Sequence, residues 1–283
     1  MHTLTIDPAV PLLIPPGRSL SLVLVGCGGT GSHLAQALAR LARHVSHSPT
    51  PLSLTFIDGD TVEAKNVGRQ LFSPADVGRN KAQVLATRFS TLFGLRITAV
   101  PQMATAETLV SRYDERHIYR IVVGAVDGAD GRTAIHTALQ SYFFNLWIDC
   151  GNHETSGQVC LGTTTDKADL AGAFALGGIC AHLPAPSLQY PDLLKKAVVR
   201  PRADCADAMI DNAQSLQVNQ MMAAMAGQYL YQIVVHRRLT TFATVVDLTT
   251  LTMRSTPITA ATVAEASGIP LATLTATKKG RAA

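Results

Sequence analysis

Charge is scarce in this sequence. Only 16% of its 283 residues are charged, and the net charge is +4. So mild a charge argues against extended nucleic-acid binding, which would want clustered lysines and arginines. A slight basic excess suits an acidic or phosphorylated ligand instead. No apolar run reaches the length of a membrane span. Residues 1–16 lack the positive start and apolar stretch of a signal peptide. The expectation is a soluble, cytoplasmic protein with neither a membrane nor a nucleic-acid partner. No C-x-x-C pair occurs, and the cysteines (Cys27, Cys150, Cys160, Cys180 and Cys205) are odd in number. That counts against a disulfide framework and against structural zinc. There is no internal repeat.

Apolar residues are abundant, at 47% of the chain, enough for a sizeable core. The chain is organised around Leu22-Val23-Leu24-Val25-Gly26-Cys27-Gly28-Gly29-Thr30-Gly31. A β-branched run stops at a glycine, and a helix follows. Gly26 permits the tight strand-to-helix turn, Gly28 lets the backbone approach a phosphate, and Gly31 lets the helix pack on the sheet. The open N–H groups and positive dipole end of the helix then face the anion. Cys27, inside this turn, is expected to face the phosphates too. A glycine turn without a ligand would read the same way, so the motif needs support from downstream.

Strand and helix patterns alternate around it. Residues 1–18 form a proline-rich lead-in, and 20–25 are the first strand. Leu34, Leu38, Leu41 and Val45 give the next helix one buried face. Residues 52–57 are a strand ending at Asp58. Asn80 caps a helix with Leu85, Phe89 and Leu92 on its stripe. Strands follow at 95–100 and 118–123, then a helix with Ile135, Leu139 and Tyr142 on one face, then a strand at 146–148. Such alternation predicts a Rossmann-like, doubly wound, mainly parallel α/β sheet. After Gly151 come a strand at 158–162 and a long crossover loop over about 163–204. An apolar helix over 206–236, buried or at a dimer interface, precedes a hairpin of 242–248 and 252–255. Residues 259–283 read as a loosely ordered tail.

The polar residues that discriminate between functions fall at strand ends, where open α/β folds bind ligands. Asp58 can accept ribose hydroxyls. Asp60, Asn66, Arg69, Gln70 and Lys81 follow it, and Asp127 closes a later strand. Hydride transfer needs a flat apolar slot and a proton donor. It does not need an Arg, a Lys and an Asp converging on phosphates, whereas a site that breaks a triphosphate does. Arg69 and Lys81 can neutralise phosphate charge, and Asp127 can hold magnesium. Singly, these residues read as a surface ion pair, a solvated lysine and a helix cap. Their joint placement reverses that.

The set G-x-G-G-x-G at 26–31, I-D-x-D-x-V-E-x-x-N-x-x-R-Q at 57–70, G-x-x-K-A at 78–82 and the strand-closing Asp127 resembles the ThiF/MoeB/ubiquitin-activating-enzyme superfamily. The resemblance runs from about Leu22 to Gly162, with a looser continuation to Ile258. Cys205-Ala206-Asp207-Ala208 and Val218-Asn219-Gln220 resemble most the ThiF-related proteins of PRTRC gene cassettes. The resemblance implies a ThiF-type ATP-binding adenylation domain over 1–258. Its activity would be ATP-dependent adenylation of the C-terminal carboxylate of a ubiquitin-like or sulfur-carrier protein, by a homodimer. It implies that Gly26, Gly28, Gly29 and Gly31 line the nucleotide loop, and that Asp58 takes the ribose with Asp60 beside it. Asn66, Arg69, Gln70 and Lys81 would take the phosphates of ATP, and Asp127 the Mg²⁺. Cys205, with Cys180 as a rival, would receive the activated carrier as a thioester. The chain departs from the family at Asp127-Gly128, where Asp-Asn is usual, and in lacking paired zinc cysteines. A non-catalytic partner subunit, a tRNA threonylcarbamoyladenosine dehydratase and an NAD-dependent oxidoreductase are the alternative readings.

Overall fold

The computed structural model describes residues 8–49, 52–110, 117–196 and 216–277. β1 (Leu12–Leu13) is a short arm, β2 (Ser19–Val25) enters the glycine turn, and α1 (Gly29–His44) leaves it. Then come β3 (Leu52–Ile57), α2 (Lys81–Phe93), β4 (Ile97–Val100) and the one-turn α3 (Ala106–Leu109). β5 (Ile118–Gly124), α4 (Ala129–Gln140), β6 (Leu146–Asn152) and β7 (Ser156–Gly162) follow. The crossover segment contains the short α5 (Pro186–Gln189). After it the chain forms α6 (Leu216–Tyr231), β8 (Arg238–Leu239), β9 (Thr241–Asp247) and β10 (Thr252–Pro257). α7 (Ala260–Ser267) and α8 (Leu271–Thr275) come last.

One eight-stranded sheet has the order β10-β9-β7-β6-β5-β2-β3-β4. Neighbours from β4 to β6 are parallel, and β7, β9 and β10 add on antiparallel. The chain leaves β2 for β3 on one side and returns to β5 on the other. Open α/β sheets bind ligands beyond the strand ends at such a switch point. The expected doubly wound, mainly parallel sheet is present. Its central strands are apolar on both faces, as covered parallel strands must be. Leu22 and Leu24 pack with Leu34, Leu38 and Met222 on one side; Val23 and Val25 join Ile135 and Leu139 on the other.

Helix ends are set locally. Asn80 caps α2 by accepting from Gln83 N–H at 3.0 Å, and Gly94 in the left-handed region ends it. Two positions on the expected stripes fall outside them. Leu92 is exposed because the buried row of α2 steps from Leu85 through Phe89 to the partly buried Phe93. Tyr142 is exposed because α4 has already ended and the backbone there has φ of 60°. The apolar residues of α6, including Val218, Met222, Ala226 and Leu230, join the core and pack on α1, β6 and β7. That face is used within the chain rather than left for a dimer interface. Residues 206–215 of the expected helix lie outside the described residues.

Residues 259–277 are not a loose tail. Thr259 and Thr262 form a reciprocal cap at the start of α7, and Gly268 terminates it. Val263, Ile269 and Leu274 are buried in the main core. Each helix is too short to show a clear periodic stripe, which is why composition misleads here. The carbonyls of Thr273 and Leu274 accept from Gly172 N–H and Phe174 N–H of the crossover segment, both at 2.9 Å. The same segment donates Cys180 N–H to Pro11 O at 2.9 Å. Among the described residues, no helix is long and apolar enough to cross a membrane.

Candidate active site

β2 ends at Val25, and Gly26 follows with φ of 89°. A Cβ on Gly31 would lie 1.9 Å from Gly26 O, so α1 can begin this close to the strand only without a side chain there. Gly31 therefore serves packing and does not line the cavity, unlike Gly26, Gly28 and Gly29. Gly28 faces open space, with only Gln70 Nε2, at 3.9 Å, near the position of a Cβ. The first N–H groups of α1 open there, a ready anion site. Cys27 points the other way. Its side chain is buried in the core, and only its N–H serves the site, donating to Asp58 Oδ2 at 2.6 Å. It does not face the phosphates, because the residue between these glycines is turned into the core.

Asp58 Oδ1 accepts from Asp60 N–H at 2.8 Å. Burial pushes the Asp58 carboxyl up from the ordinary range, against these two N–H bonds and the nearby Lys81 charge. Lys81, buried at the start of α2, pairs with Asp60 Oδ2 at 3.0 Å. Asp60 is exposed, so its carboxylate acts here to aim the ammonium. Asn66 is buried, and its Oδ1 accepts from Glu63 N–H at 2.9 Å, holding the turn at 64–66. Arg69 Nε and Gln70 Oε1 are buried with no hydrogen-bond partner among the described residues. Such groups cost about 1–3 kcal/mol each when left unmet. All of them line one cavity of about 700 Å³ with the glycine turn and Asp127. Every expected cofactor residue except Gly31 is therefore brought together. Cys205 lies outside the described residues.

The loop carrying Arg69 and Gln70 is pinned from behind. Leu71 N–H donates to Ser32 Oγ at 3.0 Å. Asp76 accepts from Ser73 N–H at 2.7 Å and pairs with Arg88, which also reaches the Leu71 carbonyl. Burial alone would push Asp76 up, but the Ser73 and Arg88 bonds outweigh it and hold the carboxyl below its ordinary value. The unfolded chain therefore takes up a proton at higher pH than the folded one. Stability from this clamp is present above the ordinary Asp range of roughly pH 4 and is lost as pH falls through the depressed value. Asp76→Asn should cost about 1–3 kcal/mol at neutral pH. The gap between wild type and variant should narrow on acidification below pH ~4, as read by urea unfolding. A gap independent of pH would show that the clamp does not act through charge.

Asp127 stands between β5 and α4 with its carboxylate exposed at the cavity rim. It has no hydrogen bond or ion pair to that carboxylate among the described residues. No group of three His, Cys, Asp or Glu suited to a metal exists among the described residues. One free carboxylate beside the open N-terminus of α1 is a donor that fits magnesium, which is commonly held by one or two carboxylates, phosphate oxygens and water. Cys150, Cys160 and Cys180 are buried and free, and burial pushes each thiol up, Cys180 to about 12. Cys180, the rival candidate acceptor, is buried and donates to His182 O at 3.1 Å.

The ThiF family model matches residues 17–266. The chain belongs to the ThiF family. Among curated relatives, it is 27% identical over 149 residues to ubiquitin-like modifier-activating enzyme 5 of Dictyostelium discoideum, covering 49% of this chain and 37% of the relative. It is 31% identical over 116 residues to tRNA threonylcarbamoyladenosine dehydratase of Escherichia coli strain K12, covering 40% of each. The chain thus spans about two fifths of these relatives. Its fold is similar to that of E. coli MccB solved with ATP, with a TM-score of 0.57 at 17% identity, covering 86% of this chain and 64% of MccB. PaaA is also similar, with a TM-score of 0.52 at 16% identity, covering 84% of this chain and 64% of PaaA.

This ThiF-family site also holds groups that local sequence signals do not reveal. Arg132 and Asp149 form a buried ion pair beside the segment that carries Asp127. Burial pushes the Asp149 carboxyl up to about 6, although Arg132 pulls it down. In the cavity wall, Asn219 Oδ1 accepts from Asn152 Nδ2 at 2.6 Å and from Thr30 Oγ1 at 3.1 Å. These partners come from α1, β6 and α6, far apart in sequence.

Proposed function

We propose that this ThiF-family chain is an ATP-dependent adenylyltransferase. Its substrate is the C-terminal carboxylate of a ubiquitin-like or sulfur-carrier protein, activated in the cytoplasm. One observation carries the reading. The buried, unmet Arg69 and Gln70 atoms, the Lys81 ammonium and the free Asp127 carboxylate share a cavity with the open N-terminus of α1. A polyanion would accept from Arg69 Nε–H, the Lys81 ammonium and the N-terminus of α1, and an accompanying cation would meet the Asp127 carboxylate; Gln70 Oε1, an acceptor, would need a donor or that cation. Ile57, Met103, Ala104 and Val126 give the same cavity apolar surface suited to a purine, and Asp58 suits the ribose hydroxyls. The names of the relatives, a modifier-activating enzyme and MccB solved with ATP, point the same way.

The carrier carboxylate attacks the α-phosphorus in line. The bond from that phosphorus to the bridging oxygen breaks, and pyrophosphate leaves with the electron pair. Arg69 and Lys81 neutralise its charge, and Asp60 keeps Lys81 aimed. Asp127 would hold magnesium, which would supply Lewis-acid stabilisation of the phosphate oxygens. The remaining work is positioning, as in other phosphoryl-type transfers.

ATP–pyrophosphate exchange with candidate carriers ending in glycine tests the reading. Exchange should require Mg²⁺ and one such carrier. Calorimetry showing tight NAD binding and no ATP binding would remove it. A thioester on Cys205 belongs to the same proposal. It would appear on a non-reducing gel as a thiol-sensitive conjugate that Cys205→Ala abolishes. The PRTRC-type affinity rests on the sequence around Cys205 and Asn219. A homodimer is proposed on the family resemblance alone, and an active monomer in light scattering would exclude it.

A further inference from the structure

Asp149 sits opposite Gly124 in the β5–β6 pair. A Cβ at Gly124 would come within 3.1 Å of Asp149 Oδ1, so glycine leaves the carboxylate its space. Both Asp149 oxygens lie 3.2 Å from Arg132 Nε, and Asp149 is completely buried. Arg132 is 9% exposed on α4, and its Nη1–H donates to the main-chain carbonyl of Asp127 at 3.4 Å. On the other side, Ala125 N–H is bonded to Val25 O at 2.8 Å. The segment between β5 and α4 is thus held at both ends. Its one free functional group is the Asp127 carboxylate, so whatever fixes that group acts through the backbone.

Burying two charges loses solvation that an apolar pair of the same size would not, and such pairs are often replaceable without loss of stability. Packing alone therefore does not account for this one. We propose that Arg132, locked by Asp149, is a positioning residue that sets the place of the Asp127 carboxylate as the magnesium ligand. Neither residue lines the cavity of the glycine turn. The pair acts on Asp127 through the carbonyl bond. The inference rests on the ATP site proposed above.

Calorimetric titration of the full chain with ATP, in EDTA and in Mg²⁺, tests it without reference to turnover. Removing one partner could unfold the protein, so the main variant is Arg132→Met with Asp149→Leu, which removes both charges together. Its ATP affinity in EDTA should stay within about twofold of wild type, since the glycine turn, Arg69 and Lys81 are untouched. The gain in affinity on adding Mg²⁺ should fall at least tenfold, and Asp127→Ala should show the same loss. Adding Asp127→Ala to the double variant should then change nothing further, as expected for residues acting on one element. A double variant that keeps the full Mg²⁺ gain overturns the inference and leaves the ATP site standing. A wild type whose ATP affinity ignores Mg²⁺ also overturns it. A wild type that binds no ATP overturns the functional reading itself, and this inference with it.

Discussion

Asp127→Ala is expected to reduce adenylation more than about a thousandfold, as pyrophosphate exchange would show. A drop of that size corresponds to about 4 kcal/mol of transition-state stabilisation, in line with removing the protein's hold on a catalytic cation. Folding should hardly notice the change. The carboxylate is exposed and carries no partner among the described residues. Substitutions at such positions usually stay within about 0.5 kcal/mol. The combination of a large kinetic loss with an unchanged unfolding curve distinguishes a metal ligand from a helix-start residue. If Asp127→Ala exchanged pyrophosphate at near wild-type rate, the ion would have to be held elsewhere.

Gly31→Ala is the counterpart, with the largest structural effect expected. The added carbon would lie 1.9 Å from Gly26 O and 2.7 Å from Gly26 C. Both obstacles are backbone, so no side-chain rotation relieves them. Overpacking typically costs about 1–3 kcal/mol, and here α1 itself must retreat from β2. That movement also displaces the N–H groups proposed to meet the phosphates, so ATP affinity should fall together with the melting temperature. Gly28→Ala should behave differently. Its Cβ meets open space in the cavity, so the protein should fold normally and lose only ligand affinity. Thermal unfolding and calorimetry of the two variants side by side would show the split. Equal melting temperatures would mean that the turn is softer than its geometry implies.

Much of this architecture was legible because the signals were local. The β2–turn–α1 unit, the Asn80 cap and the strand-end positions of Asp58 and Asp127 each depend on a few adjacent residues. Residues 66–70 and Lys81 converge on the cavity because the chain must return to the carboxyl edge between β3 and α2. What was missed depends on distance. Arg132 and Asp149 meet only after β5 and β6 pair, and neither looks unusual in its own segment. Asn66 and Asp60 read as ligand-facing polar groups, yet part of their bonding capacity holds the turn at 64–66 and aims Lys81. Cys27 was misplaced because spacing places the glycines without showing which way the residue between them turns. The final two helices were hidden by Ala- and Thr-rich composition, although Thr259, Thr262 and Gly268 already marked the start and stop of α7.

The stitching of the crossover segment to residues far before and far after it has a consequence for the order of assembly. Pro11 and the Thr273–Leu274 pair, 262 and more residues apart in sequence, hold the same stretch of backbone, residues 172–180. On a ribosome, the parallel sheet and the nucleotide cavity can form before residue 273 has emerged. The crossover segment cannot gain its last anchors until residue 274 has emerged. Contacts that span such separations are slow to close, and larger chains fold through partly assembled states. Refolding should therefore be biphasic, with amides of the central strands protected against hydrogen exchange before those of Gly172 and Phe174. Simultaneous protection of the two sets would show that the chain closes in a single step.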